Sequence, residues 1–483
     1  MRSREAYHRI KYIILPVLGI IFTALYIYAA SVDVVYSDYI RLINEYLPDV
    51  SDISKLLVPD ILTRIPMTFL ARLVNVLSFD YSVTFDRVLG LIGLLLIALG
   101  SAGYMYKMNI SFKWQLAFYI VLFSLNKWEI LLNGTSWPHL VSFGLFIIGY
   151  RLIDLVWTGE SDTREEFALC VLPLIMLLFA GEYIVSFACT LILVCAMGLL
   201  LGGANSMAGK RELGIYRLVL MSAALSLFLY MLSRHFAVWE HAGATDQSLF
   251  KIMIEEPKFI PKFLIKSFAG AAIGKEAVDS VVPGGAAMPS KLVLVIGCVV
   301  ILGYFFALIL YFANDMLEKT VFPIMLIVSG GANHVLVTLA RWIFLREDYA
   351  LSSRYGAQFM IGILGMILVF SMFGKMRRSY RRTDEKRRMI AGAAAISITV
   401  LIVAGNCYTD YRELRIAKYR KANYRQMAET IVNYEEYEPE ELAATMEWHK
   451  DPAELISAIE IIKDNKLNVF SKPQIADNTT EDQ

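Results

Sequence analysis

Apolar runs long enough to cross a bilayer recur from one end of this chain to the other, and that recurrence constrains the fold more than any other feature. A hydrocarbon core of about 30 Å calls for about 20 mostly apolar residues in helix. Runs of this kind centre on Tyr12–Ala30, Val88–Met105, His139–Trp157, Tyr183–Leu201, Leu218–Leu232, Leu292–Ala313, Val321–Leu339, Tyr355–Phe373 and Met389–Val403. Two shorter ones cover Trp114–Leu125 and Phe167–Ala180. The first of these is too short to cross alone, so it must borrow residues from its flanks or be shielded by protein. The expected fold is therefore all-α, a polytopic transmembrane helical bundle of about eleven spans. The composition agrees, with 57% hydrophobic and 19% charged residues.

Basic residues set the expected orientation. Arg2, Arg4, Arg9 and Lys11 precede the first span and place the N-terminus in the cytoplasm. Lys107 and Lys113, then Lys210, Arg211 and Arg217, mark further inner loops. The strongest marker is the stretch from Lys375 to Arg388, with eight basic residues. After the last span come Arg412, Arg415, Lys418, Arg420, Lys421 and Arg425, which oppose it. The balance leaves the C-terminus extracytoplasmic, in a multi-pass membrane protein. Residues 1–405 then form the transmembrane domain, with outer loops at about 31–87, 233–290 and 340–354. Residues 406–483 form a small helical tail outside. In that tail Asp451-Pro-Ala-Glu reads as a helix start, and Leu455, Ile456, Ile459 and Ile462 line one face of the helix it opens. Ala476–Gln483 reads as a disordered end.

Much chemistry is excluded. The chain has no HExxH, P-loop or GxSxG pattern, which weakens any ATP-driven reading. Its five cysteines lack metal-ligand spacing, and four lie in apolar runs as small hydrophobes. No metal, cofactor or nucleic-acid partner is expected.

Three outer segments carry unusual residues. The first loop, Ser31 to Arg87, holds Asp33 and Asp38 just beyond a span end, where either acid can serve as general base on a hydroxyl or simply be solvated. Tyr36, Tyr39 and Arg41 give Asp38 a mixed polar and aromatic setting suited to a sugar. Farther along, Val58 to Val74 is amphipathic and fit to lie on a membrane surface, with Arg64 and Arg72 on it. The late loop holds Arg341, Arg346 and Arg354 within fourteen residues, on the face where positive charge is disfavoured. Guanidinium forks match phosphate oxygens, and Ser352, Ser353 and Tyr355 can add neutral donors. Snorkelling, or pairing with Glu347 and Asp348, is the alternative. In the third segment Lys258, Lys262 and Lys266 recur every four residues, as on a helix in the headgroup region or an entry lip for an anionic lipid. Within the apolar part, Glu182 reads as a functional candidate or a turn residue, and His334 as a neutral packing group.

Taken together, the chain resembles the GT-C class of integral membrane glycosyltransferases, in particular the bacterial cell-envelope members. The resemblance rests on Val32-Asp-Val-Val-Tyr-Ser-Asp-Tyr after span one and on short paired spans with Asn126-Lys-Trp-Glu and Gly181-Glu-Tyr at their outer turns. It rests also on Leu351-Ser-Ser-Arg-Tyr before a late span and on the ending Lys466-Leu-Asn-Val-Phe. It implies transfer of a sugar from a polyprenyl-phosphate donor to a glycan or glycolipid acceptor of the cell envelope, at the outer face of a bacterial plasma membrane and among its lipids. Asp38 or Asp33 would be the base, the first loop having no adjacent pair of acids. Arg354, with Arg341 or Arg346, would hold the lipid phosphate, and no metal would be needed. A flippase or transporter of lipid-linked sugars, and a polysaccharide polymerase or ligase, are the competing classes. A transporter calls for interrupted helices repeated in two halves, a symmetry that the sequence does not display.

Overall fold

The computed structural model describes residues 2–47, 49–60, 63–179, 181–205, 209–236, 243–281, 287–376 and 385–471. The disordered end expected at Ala476–Gln483 and the centre of the basic stretch, 377–384, lie outside these residues. The chain is helical nearly throughout. In order, the helices are α1 (Arg2–Ala30), α2 (Asp38–Tyr46), α3 (Pro66–Phe79), α4 (Val83–Lys107), α5 (Phe112–Phe123), α6 (Trp128–Leu132) and α7 (Trp137–Trp157). Then come α8 (Thr163–Met176), α9 (Ile184–Asn205), α10 (Lys210–His235), α11 (Leu249–Glu255), α12 (Phe259–Gly270), α13 (Lys275–Val281) and α14 (Ala287–Ala313). The last are α15 (Phe322–Arg341), α16 (Gly356–Met376), α17 (Glu385–Val432), α18 (Pro439–Thr445) and α19 (Pro452–Asp464). A two-residue antiparallel pairing, Pro59–Asp60 with Thr63–Arg64, interrupts the first loop.

Ten of the described helical segments are long and apolar enough to cross a membrane, as expected of a multi-pass membrane protein. The eleventh expected span, Phe167–Ala180, is only the fourteen-residue α8, with Pro173 inside it. It still links two faces. Near its start Glu166 pairs with Arg211 at the head of α10, and just past its end Leu178 O accepts from Met67 N of the first loop. α5 is short, as expected, and most of the stretch from Phe112 to Leu132 is enclosed by protein.

Side-chain contacts sort the connections into two faces. On the basal face Tyr12 donates to Asn109, Lys107 pairs with Glu160, Trp157 donates to Leu317 O and Lys375 reaches Met108 O. The opposite face, called here the loop face, gathers the first loop, the segment 124–137, the loop from α11 to α13, the late loop and the tail. The tail thus lies on the face opposite the start of α1. It is no separate unit, because α17 runs unbroken for 48 residues through position 405, where a domain boundary was expected. At about 1.5 Å per residue it spans about 72 Å, more than twice a bilayer core.

The tail packs down on the first loop. Tyr36 and Tyr424 share a hydrogen bond of 2.9 Å, Ser37 N donates to Met446 O and Asn44 donates to Glu454 O. α19 starts as its sequence dictates: Asp451 caps Ala453 N with Pro452 at the first helical position, and Leu455, Ala458, Ile459 and Ile462 are buried.

Two expectations about surface helices are corrected. In α3 the buried face is mixed, with Thr68, Arg72 and Asn75 beside Phe69, while Leu70, Val74 and Leu77 face outward. Arg72 is not at a headgroup surface but stacks over Tyr46. α12 does not lie free either: Phe259, Phe263, Lys266 and Ser267 are buried against the bundle. His334 takes the packing role expected of it, sandwiched by Phe268 and Phe359 with Nδ1 2.9 Å from Ser267 Oγ.

α15 and α16 approach through Gly330 and Gly362, and a Cβ at Gly330 would overlap the backbone of Gly362. Small residues permit this closeness inside a membrane. Gly330→Val is expected to cost about 1–3 kcal/mol or more, read as a lower Tm of the detergent-solubilised protein. An unchanged Tm would contradict this packing.

Candidate functional site

The segment from Ser124 to Trp137 turns back among the helix ends instead of projecting as a loop. Asp410 of α17 accepts from Ser124 Oγ (2.9 Å) and Leu125 N (2.6 Å). Asn126 donates to Gly270 O at 2.6 Å. Buried Lys127 donates to Ser124 O at 2.6 Å. Trp128 donates to Glu276 and lies under the Arg420 guanidinium, 3.2 Å from the ring centre. Arg420 in turn grips Glu413 through two bonds of 2.9 Å, and Tyr26 donates to the same carboxylate. Buried groups of this kind are satisfied by fixed partners, so the segment is held rigidly.

This scaffold presents Glu129 to the late loop. Ser353 Oγ donates to Glu129 Oε2 at 3.1 Å, and Ser352 Oγ lies 3.5 Å away. Arg354 Nε pairs with Glu129 Oε1. The other arm of the same guanidinium, Nη1, lies 3.8 Å from Asp38 Oδ2. Gly356 allows this approach, since a Cβ there would fall 2.6 Å from Asn126 O. Asp38 stands in the first turn of α2, behind Ser37, whose left-handed backbone (φ 49°) is pinned by Met446. The first loop, the Asn126–Glu129 segment and the late loop, distant in sequence, therefore converge on one guanidinium. The Asp38 and Arg354 side chains are each 38% exposed, so the cluster is open to a ligand on one side. From the tail, Glu447 faces it: desolvation and the Glu129 carboxylate push the Glu447 carboxyl up, against Arg354 and His449.

A second cation stands nearby in sequence and fold. Arg341 ends α15 with its guanidinium 5.7 Å over the ring of Tyr355, the residue after Arg354. Among the described residues no carboxylate lies within 4.0 Å of it. Tyr183 packs its ring edge-on against His139 and Phe143. Glu182 is more than a turn residue, since its Oε1 is 3.2 Å from His139 Nε2.

The other expected site residues fall elsewhere. Tyr39 is wholly buried and donates to Asp86 at 2.8 Å, so it supports the first loop from behind instead of facing a ligand. Arg346 points to solvent and pairs with Asp348 at 3.2 Å, the arrangement of a weak surface ion pair. Lys262 and Lys266 both grip Glu347, at 3.2 and 2.8 Å. Desolvation would raise that carboxyl, but the two lysines outweigh it and hold it below its usual range. They dock the late loop on α12 and are not free for a phosphate. Lys258 is exposed at the start of α12.

Asp33 is likewise spoken for. It accepts from Ser82 Oγ and Val83 N, both at 2.6 Å, and so caps α4, with Asn468 Nδ2 at 3.5 Å. Asp33→Ala is expected to cost about 1–2 kcal/mol of stability, the scale of a lost helix cap, while the rate of any reaction at Asp38 stays within about twofold. Thermal unfolding and turnover of the same preparation would separate these effects. A large loss of turnover at unchanged Tm would return Asp33 to the list of bases.

Comparison with protein-family models, curated proteins and solved structures found no match. Among the described residues no group of three or more His, Cys, Asp or Glu side chains is arranged to hold a metal ion.

Glu129 is the residue that sequence reasoning missed. Asn126-Lys-Trp-Glu stood out as an outer turn, but only the folded chain shows that it lies under the late loop. Glu413 and Arg420, seven apart on one helix, gave no local signal either.

Proposed function

We propose that this protein is a GT-C-like glycosyltransferase that moves a sugar from a polyprenyl-phosphate donor to a cell-envelope glycan or glycolipid acceptor. The observation that carries the reading is the meeting of Asp38 with Arg354 on Glu129, partly exposed at one face of a multi-pass bundle. That pairing joins the acid and the arginine which the resemblance assigned to the reaction. The basic N-terminal residues and the basic stretch near 375–388 support an orientation with the loop face outside the cell.

In this mechanism Asp38 takes the proton of the acceptor hydroxyl as its oxygen attacks the anomeric carbon. The bond from that carbon to the phosphate oxygen breaks, and polyprenyl phosphate leaves with the electron pair. One displacement inverts the anomeric centre. Arg354 holds Asp38 in place from the Glu129 anchor. Arg341, with no carboxylate within 4.0 Å among the described residues, receives the phosphate and stabilises it as it departs. The apolar outer face of α3 and the exposed span surfaces carry the lipid chain.

The test is the envelope glycan composition of a deletion strain, complemented at matched expression with wild type or Asp38→Asn. The expected result is loss of one sugar substituent, accumulation of lipid-linked sugar, and rescue by wild type alone. Unchanged glycans in the deletion strain would overturn the reading in favour of transport.

A further inference from the structure

A cleft of about 600 Å³ opens on the loop face where the first loop, the turn after α3, the last turn of α17 and the residues after α19 meet. Its size falls within the roughly 300–1,000 Å³ of small-molecule sites. The reaction described above does not use it: Asp38, Glu129, Arg341 and Arg354 are absent from its walls.

The walls are rigid. Asn468, in a left-handed conformation (φ 50°), accepts from Val35 N at 3.2 Å and donates to Tyr81 O at 3.0 Å. Its own backbone N–H donates to Asp80 O at 2.7 Å. Asp33 is fixed by its bonds to Ser82 and Val83. Tail and first loop are thereby locked together across the cleft, and its shape exists before any ligand arrives.

The free chemistry points one way. Asp80, Glu429 and Asn433 line the cleft, are exposed, and have no side-chain partner among the described residues. They offer acceptors, plus one amide donor, at several points around one volume. Among the described residues no lysine, arginine or histidine lines it, and Asp33, Asp80 and Glu429 would repel a phosphate or other anion. Phe79, 49% exposed, sets an apolar ring beside these groups. Convergent acceptors beside an aromatic face suit a neutral pyranose, whose hydroxyls donate while its C–H face lies on the ring.

We propose that this cleft binds a neutral oligosaccharide segment, two or three sugars of the acceptor glycan away from the reacting hydroxyl. The inference rests on the transferase reading for the identity of the glycan as acceptor, and on the cleft alone for the binding. The site would give the enzyme a preference for acceptors that have already grown beyond one sugar.

The experiment uses the full chain in lipid nanodiscs and saturation-transfer NMR. The probes are neutral trisaccharides of glucose, galactose, mannose, rhamnose and N-acetylglucosamine, with a galacturonate trisaccharide and calcium ion alone as contrasts. At least one neutral trisaccharide is expected to bind. Ala428→Trp, which fills the cleft, and the pair Glu429→Ala with Asn433→Ala are each expected to weaken it by about tenfold or more. Arg354→Ala should leave it unchanged. In turnover, the cleft variants should raise KM for a long acceptor by about tenfold while leaving kcat, and transfer to a single-sugar acceptor, as they were. The proposal is overturned if no neutral trisaccharide binds, if binding survives every cleft variant, or if only calcium or the galacturonate trisaccharide binds. Saccharide binding by a protein that transfers no sugar would sink the transferase reading and leave the cleft standing. Transfer that ignores the cleft variants would do the reverse.

Discussion

Replacing Arg354 by alanine is expected to lower transfer by about 10²–10³-fold, the scale of removing one preorganised charged group from a reacting centre. The side chain touches both Glu129 and Asp38, so its loss sets two carboxylates facing each other with no cation between them. Repulsion would then turn Asp38 away from the incoming hydroxyl. Arg354→Lys keeps the charge but cannot reach both acids through a planar fork, and a loss of about tenfold is expected. A structural role and a positioning role give different results in the double variant Arg354→Ala/Glu129→Gln. Removing the second charge should restore the Tm of the folded protein and leave turnover low. Recovery of turnover together with Tm would show that Arg354 only stabilises the fold.

Arg341→Ala should act differently. No carboxylate among the described residues depends on Arg341, and what is lost from the free protein is its stacking on Tyr355, about 0.5–1 kcal/mol. The Tm should therefore barely move. If the guanidinium meets the donor phosphate, kcat/KM for the lipid-linked sugar should fall by about 10²-fold, the worth of a charge-assisted fork. Arg346→Ala, five residues on, should leave the same quantity within about twofold, because Arg346 is in solvent with Asp348. Equal losses at both positions would indicate a diffuse electrostatic effect of the late loop and not a phosphate site at Arg341.

The fold was legible where the physics is one-dimensional. Length and hydropathy mark spans, and Asp451-Pro-Ala-Glu marks a helix start, because each depends only on neighbouring residues. That Asp38 and Arg354 lie on one face was legible for a related reason. Each sits at a span end on the same expected face, so topology alone brought them to one side of the membrane. Charge periodicity misled in two places. Lys258, Lys262 and Lys266 share a helical face, but Lys262 and Lys266 turn to Glu347, which no local pattern could reveal. Arg72 reads as an interfacial cation, yet α3 turns it toward protein together with Thr68, Phe69 and Asn75 and leaves Leu70, Val74 and Leu77 outward. An amphipathic helix beside lipid can bury either face, and the moment alone does not say which. Glu129 was missed because its importance is wholly tertiary. The unbroken course of α17 was missed because charged residues after a span look like a boundary although helix geometry is indifferent to them.

The central claim is that Asp38, held by Arg354, deprotonates an acceptor for transfer from a polyprenyl-phosphate sugar. Purified protein in proteoliposomes, supplied with radiolabelled lipid-linked sugars and envelope glycan acceptors, tests this most directly. The account predicts that label moves from lipid to glycan with inversion at the anomeric carbon, and that Asp38→Asn, folded with an unchanged Tm, falls to the background rate. Transfer that persists in Asp38→Asn at the wild-type rate would contradict it.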